Sequence, residues 1–266
     1  MDGGMARTDA GRVAIDDVVI RFDGRDGPVT ALDRTTLTLE PGTFTALIGP
    51  SGCGKSTLMN AIAGFVPAAE GALSLDGARI EGPSPEVGVI FQQYALFPWF
   101  TALGNVRFGL KRFGLRKDEE IARARAALDE VGLAPHARKF PQQLSGGMKQ
   151  RVAIARTFAT GPKVMLMDEP FGALDAQTRR GMHGLLMTVW QKHRATVLFV
   201  THDVDEALLL ADDVHVMSQA PGRLIRHYRL DQPRPRTLGR DAPELLEIRE
   251  EILALLRPTD PTTTGE

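Results

Sequence analysis

Apolar positions in the first fifty residues come in short β-branched runs: Val18-Val19-Ile20, Thr35 to Leu39, and Thr43 to Ile48. Gly24, Gly27-Pro28 and Pro41-Gly42 separate them, so the pattern predicts strands joined by turns. The run Phe44 to Ile48 enters a glycine-rich loop, and Lys55 to Gly64 carries helix formers, which reads as strand, loop, helix. Further on, Val164 to Met167 and Val197 to Val200 are unbroken apolar runs, the signature of strands buried on both faces of a parallel sheet. Between Tyr94 and Thr160 the period changes. Asp118-Glu119-Glu120 opens a stretch with Ile121, Ala124, Leu128 and Val131 at helical spacing, closed by Gly132, which predicts a helix with acids at its positive end. After Gly222 the chain turns basic and proline-rich (Pro233 to Arg236) and then predicts a last helix, Glu244 to Leu256.

The glycine-rich loop carries the first chemistry. Gly49-Pro50-Ser51-Gly52-Cys53-Gly54-Lys55-Ser56-Thr57 matches the P-loop pattern, and it follows a strand and opens a helix as that motif requires. Such a loop turns backbone N–H groups toward phosphate oxygens at a helix N-terminus, with Lys55 adding a point charge to the β and γ phosphates and Ser56 a ligand for Mg²⁺. A bulky adduct on Cys53 is expected to obstruct that cradle. Met165 to Asp168 is an apolar strand ending in Asp168-Glu169-Pro170, two carboxylates at the sheet edge where open α/β folds bind ligands. Asp168 is assigned to Mg²⁺ and Glu169 to polarising the attacking water.

Leu144-Ser145-Gly146-Gly147-Met148-Lys149-Gln150-Arg151 reads locally as a serine cap and two glycines opening a helix, whose free N–H groups can take an anion. It also resembles the signature sequence of ABC ATPases almost letter for letter. The resemblance implies an α/β fold with a P-loop NTPase (RecA-like) core, an antiparallel β subdomain and an inserted α-helical subdomain. It implies ATP and Mg²⁺ as cofactors and a head-to-tail dimer in which Ser145, Gly146 and Gly147 of one copy meet the γ-phosphate held by the other. Other family positions follow in order. Gln92, rather than its neighbour Gln93, resembles the glutamine that reaches Mg²⁺ and water. Asp175, in Ala173-Leu174-Asp175, resembles the D-loop at the dimer interface, and His202 resembles the switch histidine on the γ-phosphate. Asp203 with Glu206 also reads as a capping pair for the next helix. Phe22 stands where the family has an aromatic stacked on adenine; core packing is the equal alternative.

The resemblance spans roughly residues 13–222, within one cassette: 13–92 and 161–222 as β subdomain and core, 93–160 as the helical subdomain, 223–266 as a short tail. Phe91 to Trp99 is similar to bacterial importer ATPases, where this surface receives a permease helix. Phe97, Trp99 and Phe100 are expected to line that groove, with burial in the core as the alternative. The stretch Asp205 to Asp212 and the short tail resemble the nitrate, sulfonate and taurine importers, which take up small, often anionic nutrients. An exporter ATPase and an ABC ATPase working on nucleic acid are the other readings.

Composition narrows these readings. The 266 residues are 43% hydrophobic and 24% charged, ordinary for a globular chain, and the formal net charge of -1 offers no general field for a polyanion. Nucleic acid is therefore not expected as a partner. Met1 to Arg12 lacks the apolar run of about 7 to 15 residues that a secretory leader needs, and no stretch nears the roughly 18 that span a bilayer. The single cysteine excludes an internal disulfide. The expected location is the cytoplasmic face of the cell membrane, held there by the permease, with a periplasmic or lipid-anchored substrate-binding protein as an indirect partner.

Overall fold

A computed structural model describes residues 10–24, 27–240 and 242–257. Most of the leader reading, residues 1–9, and the polar end, 258–266, lie outside the described residues. The chain opens with two long antiparallel strands, β1 (Val13–Gly24) and β2 (Gly27–Leu39), paired from Val13↔Leu39 to Gly24↔Gly27. β3 (Phe44–Ile48) runs into helix α1 (Lys55–Ile62), and β4 (Glu70–Leu75) with β5 (Ala78–Arg79) returns to β1, giving a four-stranded antiparallel sheet in the order β2-β1-β4-β5.

β6 (Val87–Ile90) then leads into three helices, α2 (Ala102–Leu110), α3 (Lys117–Glu130) and α4 (Gly146–Phe158), which pack on one another. Gly132 has φ 68, so the predicted glycine stop follows α3 in the left-handed region. The chain continues through β7 (Val164–Asp168), α5 (Ala176–His193), β8 (Thr196–Thr201), α6 (Val204–Leu210) and β9 (Asp213–Met217). β10 (Leu224–Arg229) and α7 (Pro243–Leu255) complete it. The second sheet has the order β10-β9-β3-β8-β7-β6; its four pairings from β9 to β6 are parallel and β10 alone is antiparallel.

The unbroken apolar strands have a direct cause. Side chains alternate between faces of a strand, and here both faces are covered. Met165, Met167, Val197, Phe199, Phe44 and Ile48 pack with the helices, whereas Val164, Leu166, Leu198, Val200 and Leu47 join α1 and the antiparallel sheet in a second core. Beyond Gly222 the chain is built into the fold: α7 buries Leu245 and Ile252, and Arg236 donates hydrogen bonds to the carbonyls of Leu208 (3.1 Å), Leu230 (2.9 Å) and Ala211 around the end of α6. Burial, with Arg234 beside it, pushes the Arg236 pKa down to about 10.

The two opening strands are longer than the short runs predicted. The polar pairs Asp16-Asp17 and Asp33-Arg34, which interrupt the apolar runs, sit in irregular stretches of the ladder. Register shifts fall between Ile15 and Arg21, Asp17 and Arg34 take positive φ, and the Asp17 N–H finds Thr36 Oγ1 at 3.0 Å.

Candidate functional site

The phosphate loop is shaped by what its backbone must do. Gly54, at φ 101, is the N-cap of α1, and a Cβ there would meet the Ala31 carbonyl oxygen at 2.8 Å, so no side chain fits. With no capping side chain, the first-turn amides of α1 remain available to an anion. Lys55 is 6% exposed, and its Nζ donates to Gly49 O (2.8 Å) and Pro50 O (2.9 Å) without a carboxylate partner among the described residues. A buried ammonium held by two carbonyls and, at 3.8 Å, the Cys53 sulfur is poised for an added negative charge, which fits a phosphate. Ser51, Gly52, Gly54, Lys55, Ser56 and Thr57 line one side of a cleft of about 370 Å³ that Gln92, Asp168 and Glu169 close. Gly49 and Cys53 do not line it. The Cys53 side chain is wholly buried in the core cluster that includes Met217, with its Sγ 3.8 Å from Lys55 Nζ, so the thiol lies beneath the cradle, closed to solvent.

Across the cleft, β7 delivers the two acids. Ser56 Oγ donates to Asp168 Oδ1 at 3.0 Å. Burial lifts the Asp168 carboxyl above its ordinary value, opposed by the Ser56 hydrogen bond, and the neighbouring Glu169 charge adds to the lift against that of Lys55. A hydroxyl and a crowded, partly buried carboxylate are hard oxygen donors that a divalent cation would relieve, so the set fits Mg²⁺. Glu169 takes φ 41, a left-handed conformation of the kind that costs a non-glycine residue about 1–3 kcal/mol. Its N–H is pinned to Val200 O at 2.9 Å, and two side chains converge on its Oε2: Gln92 Nε2 at 3.3 Å and His202 Nδ1 at 3.1 Å.

The other sequence-predicted residues lie away from this cleft. Ser145 caps α4 by accepting from Met148 N at 3.3 Å, and Gly147 abuts α5, where an added Cβ would stand 2.7 Å from Thr178 Cγ2. Gly146 faces the Tyr94 hydroxyl. Asp175 caps α5, accepting from the amides of Gln177 (3.1 Å) and Thr178 (3.0 Å). Phe22 is 45% exposed on β1 opposite Val29, so it is not a core residue. Of the expected capping pair only Asp203 caps α6; the Glu206 carboxylate turns inward and accepts from Thr201 Oγ1 at 2.8 Å, which gives a buried acid a hydrogen-bond partner.

The aromatic segment is on the surface. Trp99 is 67% exposed, and the Phe97 ring contacts those of Trp99 (5.6 Å), Phe100 (5.7 Å) and Phe108 (4.4 Å). Sequence reasoning missed Phe108 and the residue that holds this loop, Asn105. Fully buried in α2, Asn105 accepts from Phe97 N (2.8 Å) and donates to the carbonyls of Phe97 (3.2 Å), Phe100 (3.1 Å) and Thr101 (3.1 Å). An asparagine inside an apolar helix, four residues after a Thr cap, was the available signal.

Comparison with known proteins agrees with this geometry. Residues 32–172 match the ABC transporter family. The chain is 46% identical over 253 residues to the taurine import ATP-binding protein TauB of Rhizobium johnstonii, covering 92% of this chain and 97% of that one. It is 45% identical over 243 residues to the nitrate import ATP-binding protein NrtD of a Synechocystis species, covering 89% and 91%. A solved dimeric bacterial ABC transporter cassette superposes with a TM-score of 0.73 at 31% identity, over 83% of this chain and all 100% of that one. The same cassette in a post-hydrolysis state bound to ADP and Pi gives 0.72 at 30% identity, with the same 83% and 100% coverage. The chain thus belongs to the ABC transporter ATPases, the ATP-binding and ATP-hydrolysing proteins of that family.

Proposed function

We propose that this protein is the ATP-hydrolysing subunit of an importer for a small, anionic nutrient of the nitrate, sulfonate or taurine kind. The observation that carries the reading is the convergence of Gln92 and His202 on one oxygen of Glu169, beside a loop of free helix amides and the buried Lys55. In this reading Lys55 and the amides of residues 51 to 57 hold the phosphates, and Phe22 offers its exposed ring to the adenine. Glu169 accepts a proton from the attacking water, while His202 and Gln92 fix its carboxylate and meet the γ-phosphate. Ser56, Asp168 and Gln92 would hold Mg²⁺, which neutralises charge developing on the phosphate oxygens.

Ser145, Gly146 and Gly147 open α4 away from the cleft, so they serve the cleft of a second copy, with Asp175 at the same contact. The dimeric form of the related cassette supports this arrangement. The division into 13–92 with 161–222, 93–160 and 223–266 gives the helical part freedom to follow nucleotide occupancy through Gln92. The Trp99 patch receives a permease helix, since an exposed aromatic cluster on a clamped loop suits partner binding. Among the described residues no helix is long and apolar enough to cross a membrane, so the permease holds the subunit at the cytoplasmic face. A substrate-binding protein joins only through that permease.

The test is Glu169→Gln. It keeps the side chain's size, so Mg-ATP should still bind, while hydrolysis should fall by the roughly 10²- to 10⁴-fold typical of a lost general base. Size-exclusion chromatography should show it as an ATP-dependent dimer, and adding Ser145→Arg should return it to a monomer that still binds ATP. Wild-type hydrolysis by Glu169→Gln, or no ATP-dependent dimer, would refute the composite site.

A further inference from the structure

The turn that carries Asp175 and the turn that carries His202 belong to different connections, one after β7 and the other after β8. One side chain joins them. Arg179, in the second turn of α5, donates from Nη2 to the Leu174 carbonyl at 3.0 Å and from Nη1 to Asp203 Oδ2 at 3.4 Å. Its Nε points at Glu206 Oε1, 3.6 Å away, beyond hydrogen-bond reach, and has no other acceptor. Glu206 itself is buried, 5% exposed at its side chain, and anchored by Thr201 Oγ1 at 2.8 Å and His183 Nε2 at 3.3 Å. Thr201 Oγ1 in turn accepts from the Asp203 N–H at 3.0 Å, so the residue after His202 is gripped from both sides.

We infer that Arg179 is a positioning residue that links the Leu174–Asp175 turn to the His202–Asp203 turn, so that contact with a second copy at the first sets the imidazole at the second.

Capping does not account for this side chain. Asp175 caps α5 with its own carboxylate and Asp203 caps α6 with its own Oδ1, and neither needs Arg179 for that. What Arg179 alone supplies is a planar fork that reaches a carbonyl on one turn and a carboxylate on the other at once; a lysine ammonium at the end of a flexible stem cannot hold both in fixed geometry. The unmade bond from Nε to Glu206 gives the link a direction. An approach of α6 toward α5 by a few tenths of an ångström completes the third contact and satisfies a buried donor, so the network is fully bonded only when the two turns close up. His202, next to Asp203, would be carried with that movement toward or away from Glu169 Oε2, from which its Nδ1 now stands 3.1 Å.

The inference rests on the reading of His202 and Glu169 given above, and the experiment separates the two. Arg179→Lys keeps a positive charge beside Glu206 but loses the fork. In the full chain with Mg-ATP, kcat should fall by about 10- to 100-fold, the cost of misplacing a reacting group by up to about one ångström, with the KM for ATP and the thermal midpoint unchanged. In a His202→Ala background the same substitution should lower kcat no further, because its effect passes through that turn. Asp203→Asn, which retains a capping oxygen for α6, should reproduce both results and decides the matter if Arg179→Lys does not fold. A wild-type kcat, a loss that tracks a fall in thermal midpoint, or an equal loss in the His202→Ala background overturns the inference. If His202→Ala itself hydrolyses ATP at the wild-type rate, the reading of the site fails and the link fails with it; if His202→Ala is slow while Arg179→Lys and Asp203→Asn are fast, only the link fails.

Discussion

His202 Nδ1 lies 3.1 Å from Glu169 Oε2, the same carboxylate oxygen that Gln92 Nε2 approaches to 3.3 Å. A general base held by two neighbours keeps its second oxygen, Oε1, free for water, which orients the pair without consuming the carboxylate. Replacing His202 by alanine should therefore slow hydrolysis on the order of 10²-fold, the usual effect of losing one preorganised donor, with ATP binding kept. Single-turnover hydrolysis against fluorescent-nucleotide binding measures the two separately. Equal losses in both would mean that the histidine holds the nucleotide and not the reacting group.

Cys53 lies in the phosphate loop by sequence but below it in space, with no side-chain exposure. A bulky maleimide should leave the folded chain unlabelled for as long as it stays folded, and should label it stoichiometrically in denaturant. Mass spectrometry of the two samples decides the point. Labelled protein that still hydrolyses ATP would show that the loop opens easily to solvent.

Trp99 and Asn105 make opposite predictions on one loop. Trp99→Ala removes an exposed ring and should alter stability by less than about 0.5 kcal/mol, yet weaken co-purification with the permease. Asn105→Leu strips the loop of its clamp and leaves backbone groups of Phe97, Phe100 and Thr101 unpaired, at about 1–3 kcal/mol for each that stays dry. Urea unfolding should resolve the difference. A strongly destabilised Trp99→Ala would place the ring in the core after all.

α3 is tied to α5 by an ion pair that responds to acid. Burial works against the Glu130 charge, but hydrogen bonds from His193 (Nε2 to Oε2, 3.0 Å) and Lys192 outweigh it and hold the carboxyl below its ordinary value. A depressed carboxylate stabilises the fold above its unfolded pKa and loses that contribution as pH falls through the folded one. Glu130→Gln should thus lower stability by about 2 kcal/mol at pH 7, and the gap to the parent should close as the pH drops below about 4. Thermal melts across that range follow it; a gap independent of pH would assign the loss to packing.

Much of this could be read directly from the residues. The parallel strands announced themselves because both their faces are buried, and the glycine loop and the Asp168-Glu169 pair stand at strand ends where chemistry collects. The antiparallel pair was less legible. Polar Asp16-Asp17 and Asp33-Arg34 interrupt the apolar pattern, but bulges let them stay in the ladder with their side chains outside, where Arg34 Nη1 meets Asp17 Oδ2 at 2.5 Å. Glu206 misled for a similar reason: spacing shows which amide a carboxylate could cap, and only the fold shows that Thr201 and His183 lie closer. Arg179 was invisible because its acceptors lie on separate turns, and Asn105 showed only as a polar residue in an apolar helix, since a one-dimensional reading holds no distances to the loop it clamps.

The antiparallel β10 shields the outer side of β9 with pairings from Leu224↔Met217 to Arg229↔Asp213. Were the chain to end at Gly222, where the recognisable motifs stop, β9 would present a bare row of amides and carbonyls flanked by Val214 and Val216, a ready template for the strand of a neighbouring molecule. β10 takes that edge in its place and carries Arg226 and Arg229, charged side chains of the kind that discourage pairing with a further strand.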